Sequence, residues 1–238
     1  MSTEATKAEL NEAITDEFSV KYSKDGRKLL KAPYELDSTY SIKEGVKIIC
    51  ERAFFCCGSL SSLVIPDSVT SIGGSTFSGC SSLSNIVIPD GVTSIENSAF
   101  ENCSALTSIV IPDGVTSIGV CAFSGCSSLG NLVVPESVTS IGTWAFLGCE
   151  SLTDIVIPDS VTSIGFKAFA FCKSLTDLVI PNGVTRIGAW AFDGCTSLSS
   201  LVIPDSVTSI GDKAFQFCNF PNDLKQELIS RFGEKIFE

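Results

Sequence analysis

The sequence predicts an α/β, β-rich repeat solenoid: a right-handed coil of short strands and one-turn helices with a capping element at each end. Three observations support this prediction. Residues recur at a spacing of 23, the recurring positions are mostly apolar, and each unit contains a β-rich segment closed by proline. A fixed period of about 20 to 50 residues is typical of solenoids, whose stacked units share one core. The prolines in this register are Pro66, Pro89, Pro112, Pro135, Pro158, Pro181 and Pro204.

Two large apolar columns follow the same register, and we expect both to face inward. Burying a large apolar side chain contributes about 1.5–3 kcal/mol, so each unit is stabilised mainly when its neighbours cover it. The first column is Phe54, Phe77, Phe100, Phe123, Phe146, Phe169, Phe192 and Phe215. The second is Ile49, Ile72, Ile95, Ile118, Ile141, Ile164, Ile187 and Ile210.

Each unit contains four segments in a fixed order. The L-x-I/V-P segment alternates in polarity and predicts a strand, stacked on its neighbours at about 4.8 Å. Pro-Asp-Gly or Pro-Asp-Ser then predicts a tight turn. V-T-S-I predicts a second short strand, and A-F-x-G-C predicts about one helical turn.

The pattern I-P-x-x-V-T-x-I-G-x-x-A-F-x-G-C, found at residues 111–126, resembles the units of BspA-like leucine-rich-repeat proteins. The resemblance covers about residues 40 to 220, through seven consecutive units and a degenerate eighth at the N-terminal end. It implies a curved solenoid used for protein recognition, and it admits a surface adhesin, since many members of that family are adhesins.

The domain organisation is predicted as residues 1–39, an N-terminal helix/hairpin cap; residues 40–220, the solenoid of about eight repeats; and residues 221–238, a C-terminal capping helix. Alternating segments on both sides of Asp25 and Gly26 predict the hairpin, which covers the open edge of the stack. The C-terminal segment predicts a helix with its N-cap at Asn222 or Asp223 and its end at Gly233. Its apolar face is Leu224, Leu228 and Phe232.

Charge argues against several classes of partner. The net charge is −11, and residues 53–166 contain nine acidic residues and no lysine or arginine. Such a surface repels phosphate, so we expect no nucleic acid or anionic lipid as partner.

No apolar run is long enough to span a membrane, and the start lacks the features of a secretory signal. We therefore expect a cytoplasmic protein, with a cell-surface location as the alternative that the family resemblance allows. We also expect a monomer.

The sequence predicts neither catalysis nor a bound cofactor or metal. Histidine is absent, and no serine or threonine stands out as a nucleophile. Eight of the eleven cysteines follow the repeat from Cys57 to Cys218, which favours buried free thiols over disulfides. An acidic column could suggest calcium, but one carboxylate per coil suits solvent-facing turns better. That column is Asp67, Asp90, Asp113, Glu136, Asp159 and Asp205, interrupted by Asn182.

Two sets of apolar residues are candidates for binding a protein partner. Strand alternation directs one valine per coil outward, among them Val110, Val133, Val156 and Val179, in a ridge close to 30 Å long. Strand propensity alone is the alternative explanation for these valines. The second set replaces small residues on the turn side and resembles a binding hot spot, although local packing is an alternative. It comprises Trp144, Trp190, Phe166, Leu147 and Phe171.

From these observations we expect a non-enzymatic scaffold that presents a solenoid surface to a protein partner of unidentified kind. The alternative is a cell-surface or secreted adhesin that binds a host or matrix protein. An enzyme with an unrecognised active site is disfavoured by the absence of histidine.

Overall fold

The computed structural model describes residues 2–238, and its recurring element is a coil with two short strands and a series of tight turns. Eight coils are stacked, the first beginning at Thr39 and the eighth at Ser200. The predicted β-rich repeat solenoid, with a hairpin at one end and a helix at the other, is confirmed.

The N-terminal cap consists of helix α1 (Lys7–Asn11) and strands β1 (Ile14–Thr15), β2 (Lys21–Tyr22) and β3 (Lys28–Lys31). Strands β2 and β3 form the predicted antiparallel hairpin. β3 also pairs in parallel with the two-residue strand of the first coil, so the hairpin covers the edge of that ladder.

The solenoid contains three-residue strands, which we call long strands, and two-residue strands, which we call short strands. In chain order they are β4 (Thr39–Ser41), β5 (Ile48–Ile49), β6 (Ser62–Val64), β7 (Ser71–Ile72), β8 (Asn85–Val87), β9 (Ser108–Val110), β10 (Ser117–Ile118), β11 (Asn131–Val133), β12 (Ser140–Ile141), β13 (Asp154–Val156), β14 (Ser163–Ile164), β15 (Asp177–Val179), β16 (Arg186–Ile187), β17 (Ser200–Val202) and β18 (Ser209–Ile210). Like residues meet in parallel register, as Ile141 pairs with Ile164.

The ladder of short strands is interrupted at the third coil, where Ile95 makes only an isolated bridge to Ile118. The coils on both sides carry glycine after this isoleucine, whereas the third coil carries Glu96. Gly142 illustrates the need for glycine, because a Cβ there would lie 2.7 Å from the carbonyl carbon of Gly119 in the preceding coil. The interruption therefore coincides with the one coil between Gly73 and Gly211 that lacks the small residue.

The A-F-x-x-C segment of each coil is a run of tight turns instead of the predicted helical turn. Two residues four positions apart adopt left-handed backbone, such as Ser75 at φ +52° and Gly79 at φ +78°. A left-handed residue ends a right-handed helix and redirects its amide. These amides, and that of the phenylalanine between them, donate to the next coil: Ser75 to Asn97 O, Phe77 to Ala99 O and Gly79 to Glu101 O. We call this side of the stack the turn side and the side of the long strands the strand side.

The core is a continuous column of apolar side chains along the solenoid axis. The eight phenylalanines of the repeat are fully buried, as the sequence predicts. Neighbouring rings in this column are stacked, with centroids 5.1–5.6 Å apart. Stacking of identical side chains fixes the distance between coils on the turn side.

The C-terminal cap is helix α2 (Asn222–Phe232), followed by a 3-10 helix (Glu234–Ile236). Leu228 is buried, and Leu224 and Phe232 pack against the core, as predicted. The helix ends at Gly233, but its N-cap is Pro221, so the prediction of a capping Asn222 or Asp223 was wrong.

The 3-10 helix closes the turn side of the eighth coil. The Lys213 amide donates to Lys235 O at 2.6 Å, and the Phe215 amide donates to Ile236 O at 2.9 Å. These bonds replace those that a ninth coil would provide.

Candidate functional site

One valine of each long strand from the second coil onward points into solvent, and we call this row the valine ladder. The side chains are 54–72% exposed, as strand alternation predicts. The row is Val64, Val87, Val110, Val133, Val156, Val179 and Val202. The first coil carries Ser41 at this position, so the ladder begins one coil later.

An acidic row borders the valine ladder, three residues after each valine and just beyond the proline. These turn residues are exposed and stand at Asp67, Asp90, Asp113, Glu136, Asp159 and Asp205. In the sixth and seventh coils, Asp154 and Asp177 flank the valines on the other side. Within residues 2–238, no group of three His, Cys, Asp or Glu side chains is placed to hold a metal ion.

The sheet beneath the valine ladder is divided into three parts. Pairing joins β4, β6, β8 and β9, then β11 with β13, then β15 with β17. No strand pairing in the described chain links β9 to β11 or β13 to β15. At the first division a shallow apolar groove opens between the fourth and fifth coils. Its lining includes Ile109, Val110, Ile111, Leu132, Val133 and Pro135, with Asp113 at the margin.

Side-chain hydroxyls before the long strands account for part of this division. Thr107 Oγ1 donates to Ser84 O, and Thr153 Oγ1 donates to Gly130 O, in both cases across a paired junction. Gly130 has no hydroxyl to donate across the first division. At the second division, Thr176 Oγ1 instead donates to the carboxylate of Asp177.

The second division also places like charges side by side, because Asp154 of β13 and Asp177 of β15 occupy equivalent positions in neighbouring coils. Like charges at adjacent strand positions oppose pairing. The sequence alone did not predict either division.

On the turn side, Trp144, Phe166 and Trp190 form an aromatic cluster, which spans three coils. The Phe166 ring lies between the two indoles, with centroids 5.9 Å from Trp144 and 5.4 Å from Trp190, both edge-to-face. Lys167 Nζ lies 5.5 Å from the Trp190 ring centroid, within cation–π range. The structure thus brings together three of the five turn-side residues predicted from sequence.

Of the other two predicted residues, Phe171 makes no ring contact with this cluster within residues 2–238. Leu147 is half-buried, and the 42% exposed Phe171 ring lies over Gly194 of the next coil. Trp144, Trp190 and Phe171 all adopt φ near +55°, where an L side chain costs about 1–2 kcal/mol. The sequence gives no sign of this conformation at Trp144 and Trp190, because their column contains no glycine. The column of Phe171 does give one, since it contains the left-handed glycines Gly79, Gly125, Gly148 and Gly194.

The repeat pattern of this fold is also recognised by a family model. Residues 47–176, 93–222 and 162–238 match the model described as the BspA type leucine-rich repeat region, in 6 copies. The chain belongs to the BspA-type leucine-rich repeat family. A comparison of this BspA-type chain with curated proteins finds no match.

Solved bacterial structures share the fold of the BspA-type chain. A leucine-rich repeat protein from Bacteroides ovatus ATCC 8483 is 31% identical with TM-score 0.77, covering 88% of this chain and 56% of its own. One from Eubacterium ventriosum ATCC 27560 is 23% identical with TM-score 0.65, covering 89% and 52%. The leucine-rich repeat protein of T. pallidum is 26% identical with TM-score 0.62, covering 95% of both chains. The chain therefore spans about half the length of the first two proteins.

Membership of the BspA-type family indicates a protein-interaction scaffold, and the family and fold are typically non-enzymatic. None of the helices within residues 2–238 is long and apolar enough to cross a membrane.

The cysteines of the BspA-type repeat form a column of buried free thiols, as predicted. Cys57 Sγ donates to Pro33 O in the N-terminal cap. Each of the other seven thiols donates to a phenylalanine carbonyl of the preceding coil, as Cys126 Sγ does to Phe100 O at 3.1 Å. Burial raises the pKa of Cys149 and Cys195 to about 12. These thiols therefore stay protonated near neutral pH and are poor nucleophiles.

One carboxylate, that of Asp193, is buried although the repeat pattern does not predict a buried acidic residue at this position. Asp193 is 6% exposed, and its Oδ1 atom has no hydrogen-bond partner in the described chain. Burial raises the pKa of this carboxyl, against the opposing charges of Lys167 and Lys213. The same column carries Ala170 in the preceding coil, which shows that a small apolar residue fits there.

Proposed function

We propose that this chain is a non-enzymatic scaffold that binds a protein partner through the valine ladder. The supporting observation is the ladder itself: seven exposed valines aligned on strands whose opposite faces are buried in one rigid core. A monomer rarely leaves a continuous apolar row of this size uncovered, because apolar area favours removal from water. The long strands hold the row in a fixed geometry, so little ordering is needed on binding.

Site-specific photo-cross-linking tests this proposal. A photoreactive residue is placed at Val133 on the strand side, and a matched one at Val120, which is also exposed but lies on the turn side. After exposure to an extract of the source cells, we expect a discrete protein adduct from position 133 and none from position 120. Adducts of equal yield from both positions would contradict binding at the valine ladder.

The aromatic cluster is a second candidate contact surface within the same function. The double variant Trp144→Ala and Trp190→Ala removes both indoles while the phenylalanine column behind them stays intact. We expect a circular-dichroism melt close to that of the wild type and weaker capture of the cross-linked partner. A cooperative loss of folding would instead show that the indoles are part of the core.

We also propose a reducing, cytoplasmic location, supported by eleven free cysteines in the structure. Cell fractionation tests it, and recovery of the protein in the surface or secreted fraction would favour the adhesin alternative.

A further inference from the structure

The groove between β9 and β11 differs from the rest of the valine ladder because its walls are two unpaired strands. At the paired junctions, neighbouring valines lie on strands that are hydrogen-bonded to each other, as Val133 and Val156 do. In the groove, Val110 and Val133 stand on opposite walls, with buried Ile109 and Leu132 beneath them. An apolar side chain can therefore enter between two coils here, whereas at the paired junctions it can only lie on top.

The charge around the groove has a single sign. Of the nine acidic residues between Ala53 and Phe166, five belong to the acidic row beside the valine ladder, and this stretch contains no lysine or arginine. Asp113 and Glu136, the members of the row at the two coils of the groove, form no ion pair within residues 2–238. Two exposed carboxylates one coil apart repel an anionic partner and attract a cationic one.

We propose that this groove receives one apolar side chain from an extended, basic segment of a protein partner. Lysine or arginine side chains two positions away on that segment pair with Asp113 and Glu136. The two basic residues that flank the apolar residue are about 13 Å apart on an extended segment, whereas neighbouring coils are about 4.8 Å apart. The long, flexible lysine stems lean toward each other and span the difference. This inference rests on the proposed function, because it names the partner chemistry for the same surface.

Three synthetic peptides test the chemistry of the groove. The first is Lys-Ser-Lys-Ser-Leu-Ser-Lys-Ser-Lys, the second replaces leucine with serine, and the third replaces every lysine with glutamate. Each carries a fluorophore and is titrated with the full chain while anisotropy is recorded. We expect the leucine peptide to bind about tenfold more tightly than the serine peptide, and the glutamate peptide not to bind.

Matched variants locate the binding. Val110→Asn with Val133→Asn removes the apolar walls, and Val64→Asn with Val202→Asn makes the same change at the two ends of the valine ladder. We expect the first pair to abolish the preference for leucine over serine and the second pair to preserve it. Circular-dichroism melts check that all variants are folded.

A second matched pair separates local charge from net charge. Asp113→Asn with Glu136→Gln should weaken the leucine peptide about tenfold more than Glu96→Gln with Glu101→Gln, which removes the same charge away from the acidic row. Equal binding of the leucine and serine peptides, no binding of either, or equal losses in both members of a matched pair would overturn the inference. Cross-linking at Val133 does not use these peptides, so an adduct there with negative peptide results would leave the proposed function standing.

Discussion

On the turn side of the stack, each of the seven junctions between coils has three backbone hydrogen bonds in the pattern of Ser75, Phe77 and Gly79. On the strand side, the long strands pair at five of the seven junctions and lie side by side without pairing at two. Both sides belong to the same 23-residue repeat and carry similar numbers of repeated residues. The two sides therefore differ in whether hydrogen bonding between coils persists where a coil departs from the repeat sequence.

The turn side is held by side chains that cannot be displaced without leaving a cavity or a clash. The phenylalanine column is fully buried, and glycines such as Gly142 lie against the backbone of the preceding coil. The strand side is held by short stretches of pairing and by exposed hydroxyls. Its two unpaired junctions coincide with a glycine, Gly130, and with a pair of neighbouring aspartates, Asp154 and Asp177. A repeat protein thus keeps its stack on one side while the other is free to vary for binding.

The largest expected effect comes from breaking the turn side with Phe146→Ala. The Phe146 ring is fully buried and stacks on Phe123 and Phe169. Its removal leaves a cavity and should lower the free energy of unfolding by about 3–5 kcal/mol. The control is Phe217→Ala, whose ring is 71% exposed and whose loss should change stability by less than about 0.5 kcal/mol. Urea denaturation measures both, and similar losses would show that the column is not the main support.

A smaller effect is expected from Gly142→Ala, which places a Cβ 2.7 Å from the backbone of Gly119. Overpacking of this kind should destabilise the chain by about 1–3 kcal/mol. Gly130→Ala is the matched control, since a Cβ at Gly130 meets no atom within 4 Å. Thermal melts of the two variants should therefore differ, and coincident melts would show that the coils move apart at little cost.

Asp193→Ala should stabilise the turn side by about 1 kcal/mol at pH 7, because it removes a buried carboxylate oxygen without a partner. Burial raises the pKa of Asp193 in the folded state, so the folded chain avoids the cost of the buried charge below the unfolded pKa, where the carboxyl is protonated. That cost grows, and stability falls, as the pH rises through the folded pKa. The advantage of the variant should accordingly shrink as the pH is lowered toward about 3. Asp67→Ala, at an exposed position of the acidic row, serves as control. A pH-independent difference would show that the carboxyl has the same pKa in the folded and unfolded states and is therefore not desolvated by burial.

The smallest expected effect comes from Gly130→Thr, which would make the first division of the strand side more like the paired junctions. The new hydroxyl is positioned to donate to Thr107 O, as Thr153 Oγ1 does to Gly130 O, for a gain of about 0.5–1 kcal/mol. Amide hydrogen exchange of residues 131–134 should become slower. Gly130→Ala isolates the contribution of the hydroxyl, and equal exchange in the two variants would rule that contribution out.

The sequence predicted the features that repeat and missed those that depend on a departure from the repeat. The period alone identified the buried phenylalanines, the outward valines and the free thiols, because each position has the same environment in every coil. It failed for the turn segment, since Trp144 or Ser75 gives no local sign of a left-handed backbone. Phe166 lies between Trp144 and Trp190, as expected, because a fixed spacing of 23 residues places equivalent positions of successive coils side by side.

The divisions of the strand side and the burial of Asp193 could not be predicted for a related reason. Each depends on how the residues of one coil contact those of the neighbouring coils. At the first division Gly130 lacks a hydroxyl, and at the second the Asp177 carboxylate accepts the Thr176 hydroxyl. Asp193 is buried between coils that carry Lys167 and Lys213. A pattern averaged over eight coils hides such individual differences.

The column of buried cysteine thiols allows the separation of each coil from its neighbour to be followed by chemical labelling. Cys56 is exposed and should react with an alkylating reagent at once, whereas the repeat cysteines are shielded until their coil separates from the one before it. The order in which Cys57 to Cys218 become labelled would therefore trace fraying from either end toward the centre, one coil at a time.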